Sequence, residues 1–335
     1  MPERIILSHG DGGRRTRELI DRIFLKKYSN PILSPLYDSG FLELLSGDIA
    51  FTTDSYVVTP PFFPGGDIGK LAICGTVNDL SVCGAKPIAL SCSLILEEGF
   101  PLELLEKIAD SIAKSSAQCE VPVVCGDTKV VEKGKGDGIF INTSGIGVIS
   151  GGWRPRPENI KRGDRVLITG TMGDHGIAVL VARKEMMLKG DIQSDVAPLS
   201  PLLLPLINKF GENIKFLRDP TRGGVGVTLN EIAGNVTGRI ILDESSLPVR
   251  TSVRGVCEIL GFDPLYLANE GKAIIIADES ISSEVLQYLK NNPLGKESAL
   301  IGEIGEGEGP VMLKTSLGGM RVIDYPVGEQ LPRIC

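Results

Sequence analysis

FTTDSYVVTPPFFPGGDIGKLAICGTVNDLSVCGAKP, residues 51–87, holds the fold in miniature. Ile49, Phe51 and Thr53 alternate into a strand over residues 48–58. Pro60, Pro61, Pro64, Gly65 and Gly66 then break the chain. Asp67 stands where a helix N-cap belongs, and the spacing predicts a helix over residues 68–84. Outward from this stretch the alternation continues. Residues 14–28 read as a helix, 87–96 as a strand, 101–118 as a helix, and 121–131 and 139–149 as strands. SGGWRPRPENIKRG, residues 150–163, is the best linker in the chain, and after it the pattern restarts. Strands are expected at 164–169, 239–243 and 273–277, and helices at 175–189, 201–210, 225–236 and 282–290. The fold class is therefore α+β. The expected division is a first domain over 1–152, a second over 153–324 and a tail over 325–335, where Pro326, Gly328 and Pro332 exclude helix.

Composition narrows the function. Lys+Arg 35 against Asp+Glu 42 gives a net charge of -7 over 335 residues, which argues against a general nucleic-acid binder. Aromatics at 5% weaken a base-stacking or carbohydrate-platform reading. Gly is 41 of 335, an excess that points to loops where backbone turns tightly or approaches a ligand. No apolar run approaches a membrane span, and the N-terminus lacks a secretory h-region. Seven cysteines without a CxxC pair favour reduced thiols and a cytoplasmic setting.

The helix at 68–84 carries an anomaly. Asp79 falls about 20° around the axis from Ile68, on a face shared with Leu71, Ala72 and Val82. The opposite face, with Ile73, Val77 and Leu80, is apolar too. Asn78 and Asp79 thus interrupt a helix that reads as buried all round. An unpaired buried carboxylate costs several kcal/mol and calls for a cation or donors. Asp54 ends a strand in TTDS, Asp127 ends one in CGDTK, and Asp219 precedes a helix in RDPTRGG. Each alone reads as a turn or cap, most strongly Asp67. Together they are the pattern of a hard-cation site that works with phosphates. Asp54, Asp79, Asp127 and Asp219 are the candidate Mg²⁺ ligands. Asp54, Asp67, Asn78, Asp79 and Asp127, with Gly12, Gly13, Gly223 and Gly224, are the candidate nucleotide-binding residues. Neither glycine run is a Walker A loop or a dinucleotide fingerprint. Lys129, two residues beyond Asp127, and Glu270, in LANEGKA, are acid/base candidates provided they line one cleft. Cys335 ends an extended stretch that could reach roughly 35–40 Å from Asp324.

SHGDGGR near the start, the stretch at 51–87, VVCGDTKVV, ITGTMGDHG, LRDPTRGGV, LANEGK and the terminal PRIC together resemble the HypE family of hydrogenase maturation proteins over essentially the whole chain. All but PRIC also resemble the wider superfamily of aminoimidazole ribonucleotide synthase, selenophosphate synthase and thiamine-monophosphate kinase. The resemblance implies two α+β domains of the aminoimidazole ribonucleotide synthase-like (PurM-like) fold. The N-terminal domains would pair their sheets into a barrel in a homodimer, with ATP and Mg²⁺ bound beside it. It implies that Cys335 receives a carbamoyl group from the carbamoyltransferase HypF. ATP-driven dehydration then leaves an S-bound cyano group, delivered to iron on a HypC–HypD complex. In that chemistry Glu270 is the candidate base and Lys129 stabilises developing charge, roles that could be exchanged. A homodimer is also expected because a helix apolar on every side needs covering. Two alternatives stand beside this reading. One is another ATP-dependent enzyme of the superfamily, although Cys74 as the first cysteine and a cysteine-tipped tail argue against selenophosphate synthase and thiamine-monophosphate kinase. The other is a non-catalytic scaffold.

Overall fold

Asp67 starts the central helix. Its backbone is extended, and its side chain accepts from the N–H groups of Gly69 and Lys70 at 2.8 and 3.2 Å. A cap of this kind is worth about 1 kcal/mol. The computed structural model describes residues 4–9, 14–34, 47–183, 192–326 and 334. Gly12, Gly13, Cys335 and the far end of the helix expected over 175–189 lie outside them.

The first half contains α1 (Arg14–Leu19), a π-helical stretch Ile20–Leu25, α2 (Lys26–Tyr28), β1 (Asp48–Tyr56), a small hairpin of β2 (Phe62–Phe63) and β3 (Gly66–Asp67), α3 (Ile68–Val82), β4 (Lys86–Glu97), α4 (Leu102–Cys119), β5 (Val123–Val131) and β6 (Ile139–Ile149). Four strands form a sheet in the order β1-β6-β4-β5, antiparallel except for the β4–β5 pair that α4 connects. Such a parallel pair needs a long crossover, and α4 supplies it. Helix α3 covers one face of this sheet, and α4 packs on α3.

The second half contains β7 (Arg165–Ile168), α5 (Asp174–Ala182), α6 (Ser200–Phe210), β8 (Ile214–Arg218), α7 (Gly224–Ala233), β9 (Arg239–Asp243), α8 (Thr251–Leu260), β10 (Ile274–Ala277), α9 (Ser282–Lys290), β11 (Ala299–Gly305), β12 (Val311–Lys314) and β13 (Met320–Ile323). Its seven-stranded sheet runs β13-β12-β9-β11-β7-β10-β8. β10 is apolar and buried along its whole length, as a strand covered on both faces must be. The sequence reading lacked β8, α8, β11, β12 and β13. The last three are short and interrupted by Gly and charge, so their periodicity is weak.

The central helix corrects one expectation. Thirteen of the fifteen residues of α3 are buried, leaving only Lys70 and Asp79 partly open. The cover comes from the same chain: α4, β1, β4, β6, α6 and β8 all pack on it. The all-round apolarity of α3 is satisfied within one copy and gives no reason for a dimer. The surface left open is instead the other face of the four-stranded sheet. There Phe51 is 69% exposed, with Ile49 and Ile95 also exposed.

Candidate active site

A cleft of about 300 Å³ lies where the end of β1, the middle of α3 and the start of α7 meet the loop before β10. Asp54 and Tyr56 enter it from β1, Gly75 and Asp79 from α3, and Asp219 from the turn after β8. Glu270 closes it from the LANEGK loop. Gly75 is required: a Cβ there would sit 2.3 Å from the Tyr56 hydroxyl oxygen. The missing side chain lets β1 approach α3 one helical turn before Asp79.

Hydroxyl groups aim the carboxylates. Thr52 Oγ1 donates to Asp79 Oδ2 at 2.7 Å and Thr221 Oγ1 to Asp219 Oδ2 at 2.6 Å. The Tyr56 hydroxyl donates to Asp54 Oδ2 at 3.3 Å. Burial, then the charges of Asp219 and Asp54, push the Asp79 carboxyl up to about 7. Burial raises Asp219 as well, against the Thr221 hydrogen bond. Glu270 is raised well above the usual carboxylate range, by burial first and then by Asp195, Asp219, Asp54 and Asp79. Such a group of carboxylates waits for positive charge. Arg218 and Arg222 line the same cleft and offer donors to an anion.

Asp54, Asp79 and Asp219 thus share the cleft, and their oxygen donors suit a hard cation. Among the described residues, no three His, Cys, Asp or Glu side chains converge as ligands of one metal ion. A Mg²⁺ ion here would complete its shell with water and phosphate oxygens, as Mg²⁺ commonly does.

Asp127 and Lys129 lie apart from this cleft within one chain. They lie on β5, the opposite edge of the sheet from β1. Asp54 pairs with Thr143, Thr143 with Cys92 and Cys92 with Gly126, so three strand spacings, about 14 Å, separate the two edges. Asp127 is one residue off that row and points to the other face. Both side chains are exposed, paired at 3.6 Å, and rim a second hollow of about 170 Å³ beside Phe24 and Tyr28. Within one chain neither joins Glu270.

Two more candidates are committed elsewhere. Asp67 caps α3, as its plain reading has it. Asn78 is a strut: its amide donates to the carbonyls of Ala197 and Glu270, both at 3.0 Å, and its Oδ1 accepts from the Leu199 N–H at 2.7 Å. It fastens α3 to the second half of the chain and fixes the backbone that carries Glu270. Gly223 and Gly224 open α7 with φ of 70° and 61°, beside the cleft.

The loop motifs converge on Glu270. Asn269 donates to the Pro220 carbonyl in RDPTRGG and accepts from Gly173 N–H in TGTMGDHG. Asp195 accepts from the N–H groups of Glu270 and Gly271 and pairs with Lys272 at 3.6 Å. Arg218, Arg222, Asp195 and His175 were not singled out from sequence, although all but Asp195 sit in quoted motifs.

The Asp79 environment predicts a pH effect. A carboxyl raised to about 7 stabilises the fold fully below its unfolded pKa of about 3.9, and that contribution is lost as pH rises through about 7. Asp79→Asn should therefore be the more stable protein at pH 8 without ligands, by about 1–2 kcal/mol once solvent access to the half-buried group is discounted. At pH 4 the two should match. Thermal unfolding at both values checks this, and equal stability at pH 8 counts against a strained carboxylate.

These two sheets and this carboxylate-lined cleft define an AIR synthase related protein. The family model for the N-terminal domain matches residues 37–149 and that for the C-terminal domain residues 161–314. Within that class the chain belongs to the HypE family. It is 46% identical to carbamoyl dehydratase HypE of Rhizobium leguminosarum bv. viciae over 333 residues, 99% of this chain and 95% of that one. A crystal structure of the hydrogenase maturation protein HypE in complex with ATP superposes with a TM-score of 0.94 at 46% identity, covering 98% of this chain and 99% of that one. The crystal structure of a HypE–HypF complex gives 0.80 at 48% identity, covering 92% and 99%.

Proposed function

We propose that this chain is an ATP-dependent carbamoyl dehydratase that converts an S-carbamoyl group on Cys335 to a thiocyanate during hydrogenase maturation. The observation that carries it is the carboxylate cleft with Glu270 at its floor and residue 334 docked beside Glu270 (His175 touches both).

The chemistry follows from the groups present. The thiocarbamate oxygen attacks the γ-phosphorus of ATP, and ADP leaves. The nitrogen then gives up its protons while the C–O bond breaks and phosphate departs, leaving S–C≡N. The sum is thiocarbamate plus ATP to thiocyanate, ADP and phosphate. Mg²⁺ bound with the nucleotide supplies charge neutralisation at the transferring phosphoryl group. Asp54, Asp79 and Asp219 are the residues that would hold it. Arg218 and Arg222 offer donors to phosphate, and Glu270 takes protons from nitrogen. Asp79→Asn should weaken Mg²⁺-dependent ATP binding by at least about tenfold, since even outer-shell losses cost 10–100-fold.

HypF as carbamoyl donor and HypC–HypD as acceptor belong to the same proposal. So does a homodimer through the open sheet face around Phe51. Phe51→Asp should turn a dimer into a monomer by light scattering at micromolar concentration. A monomeric parent protein would remove that part of the proposal.

The test of the main reading is intact-mass analysis with carbamoyltransferase, carbamoyl phosphate and ATP. The expected record is gain of one carbamoyl group, then loss of one water only when this chain has ATP. A carbamoyl adduct that never loses water would sink the dehydratase and leave a carrier. A scaffold would show neither ATP turnover nor adduct.

A further inference from the structure

We infer that His175 and Ser194 form a clamp that grips the backbone of Ile334 and so anchors the chain beside Glu270, one residue before the carrier cysteine. The inference rests on the carrier reading of Cys335 and assigns positioning residues for it.

The hydrogen-bond directions are determined. His175 is fully buried, at the first turn of α5. Its Nε2 lies 2.9 Å from the Ile334 carbonyl oxygen. A carbonyl can only accept, so Nε2 carries the proton. Nδ1 is then bare and accepts from the Ser194 hydroxyl at 2.8 Å. Ser194 Oγ itself accepts from the Val196 N–H at 3.2 Å, which leaves its own proton for Nδ1. The relay runs one way, from Val196 through Ser194 and His175 to Ile334. Phe63 packs edge-on to the ring at 5.3 Å and keeps it from turning. Burial lowers the His175 pKa, against Asp195 and the Ile334 carbonyl, so the ring is neutral, as this relay requires.

Two independent observations aim the clamp at the chemistry. Glu270 Oε1 is buried with no hydrogen-bond partner among the described residues and lies 4.0 Å from His175 Nε2. The Ile334 side chain is itself buried, in the apolar cluster that includes Phe63, Val179 and Val196. Recognition therefore uses a backbone oxygen and an apolar side chain of residue 334. It asks nothing of the side chain at 335, so carbamoyl and cyano forms dock alike. Since one peptide bond links the Ile334 carbonyl to residue 335, fixing that oxygen fixes where residue 335 begins.

The chain has only two histidines, His9 and His175, which makes ¹⁵N-histidine NMR a direct test. In the full chain His175 should show the Nε2–H tautomer, with that proton slow to exchange. Removing residues 334–335 should shift the ring signals and speed exchange. Unchanged signals would overturn the clamp. In the intact-mass assay His175→Ala should slow ATP-dependent water loss by about 10–100-fold, the scale of a small misplacement, with ATP affinity unchanged. His175→Gln, whose amide N–H can reach the same carbonyl, should recover much of the rate, and Ser194→Ala should fall between. A full rate in His175→Ala overturns the proposal, as does a Gln variant no better than Ala. If the unsubstituted chain loses no water, the dehydratase reading fails, while the NMR comparison still decides the clamp.

Discussion

Cys335→Ala should abolish both mass changes, the gain of a carbamoyl group and the loss of water, while ATP affinity stays within about twofold of the parent. The expectation is sharp because the structure disqualifies most rivals. Burial pushes the Cys92 thiol up to about 12 and Cys257 to about 11, and raises Cys74, where the neighbouring Cys119 is the larger cause. Cys83, at the end of α3, is exposed, yet desolvation by the surrounding protein, and then the carboxylates Asp79 and Asp219, raise its thiol. Nucleophilic sulfur is thiolate, so these groups are poor carriers at neutral pH. Cys119 is buried and Cys125 half-buried on the β5 edge, away from the Asp54 row. Ile334, by contrast, sits against His175 beside Glu270, and Cys335 is the next residue. The substitution removes one sulfur and leaves the Ile334 anchor intact, so the cleft should keep its shape. Peptide mass spectrometry placing the adduct on Cys125 or Cys74 would defeat the carrier assignment, even with the family unchanged.

How much of this was legible in the chain depends on how local each signal is. Asp79 was readable because a lone acid inside an apolar helix is a local contradiction, and its cause is the cleft. Asn78 carries the same local signature and has a different use. Its three partners, Ala197, Leu199 and Glu270, lie 119 to 192 residues away, beyond anything periodicity encodes. Asp127 and Asp54 look alike as strand-end acids. Only the strand order β1-β6-β4-β5 puts them on opposite edges, and that order is set by which strands pair across the whole half. Asp67 satisfied the capping rule within three residues and needed nothing further. His175 and Ile334 meet across 159 residues, so the motif GDHG was visible and its partner was not. The α+β class and the main elements of the first half followed from breakers and alternation. The short strands over 299–323 did not, because the sheet they complete, and not their own pattern, makes them strands.

Glu270→Gln should slow ATP-dependent water loss by about 10²–10⁴-fold, the usual contribution of a positioned general base. Carbamoyl uptake and ATP binding should persist. The change is nearly isosteric, and the backbone it hangs on is held by Asn78 and Asp195, so the loop has little reason to move. Glu270 is 3% exposed, and burial, then the neighbouring carboxylates Asp195, Asp219, Asp54 and Asp79, raise its pKa well above the usual carboxylate range, which favours its neutral form. The amide variant should accordingly be at least as stable as the parent in the absence of ligands. Positive charge brought in with the nucleotide offsets the neighbouring carboxylates and lowers the Glu270 pKa, which frees it to accept a proton. A base works in its deprotonated form, so the parent rate should climb with pH until Glu270 in the nucleotide complex is ionised. The Gln variant should lose that rising limb along with the rate. Glu270→Asp keeps a carboxylate but withdraws it by about one methylene length, and should retain the limb at a reduced rate. If Glu270→Gln lost water at the parent rate, the proton acceptor would have to be another group. If it were slow but kept the same pH limb, the titrating residue would lie elsewhere in the cleft, with Asp79, held near 7, the first to examine.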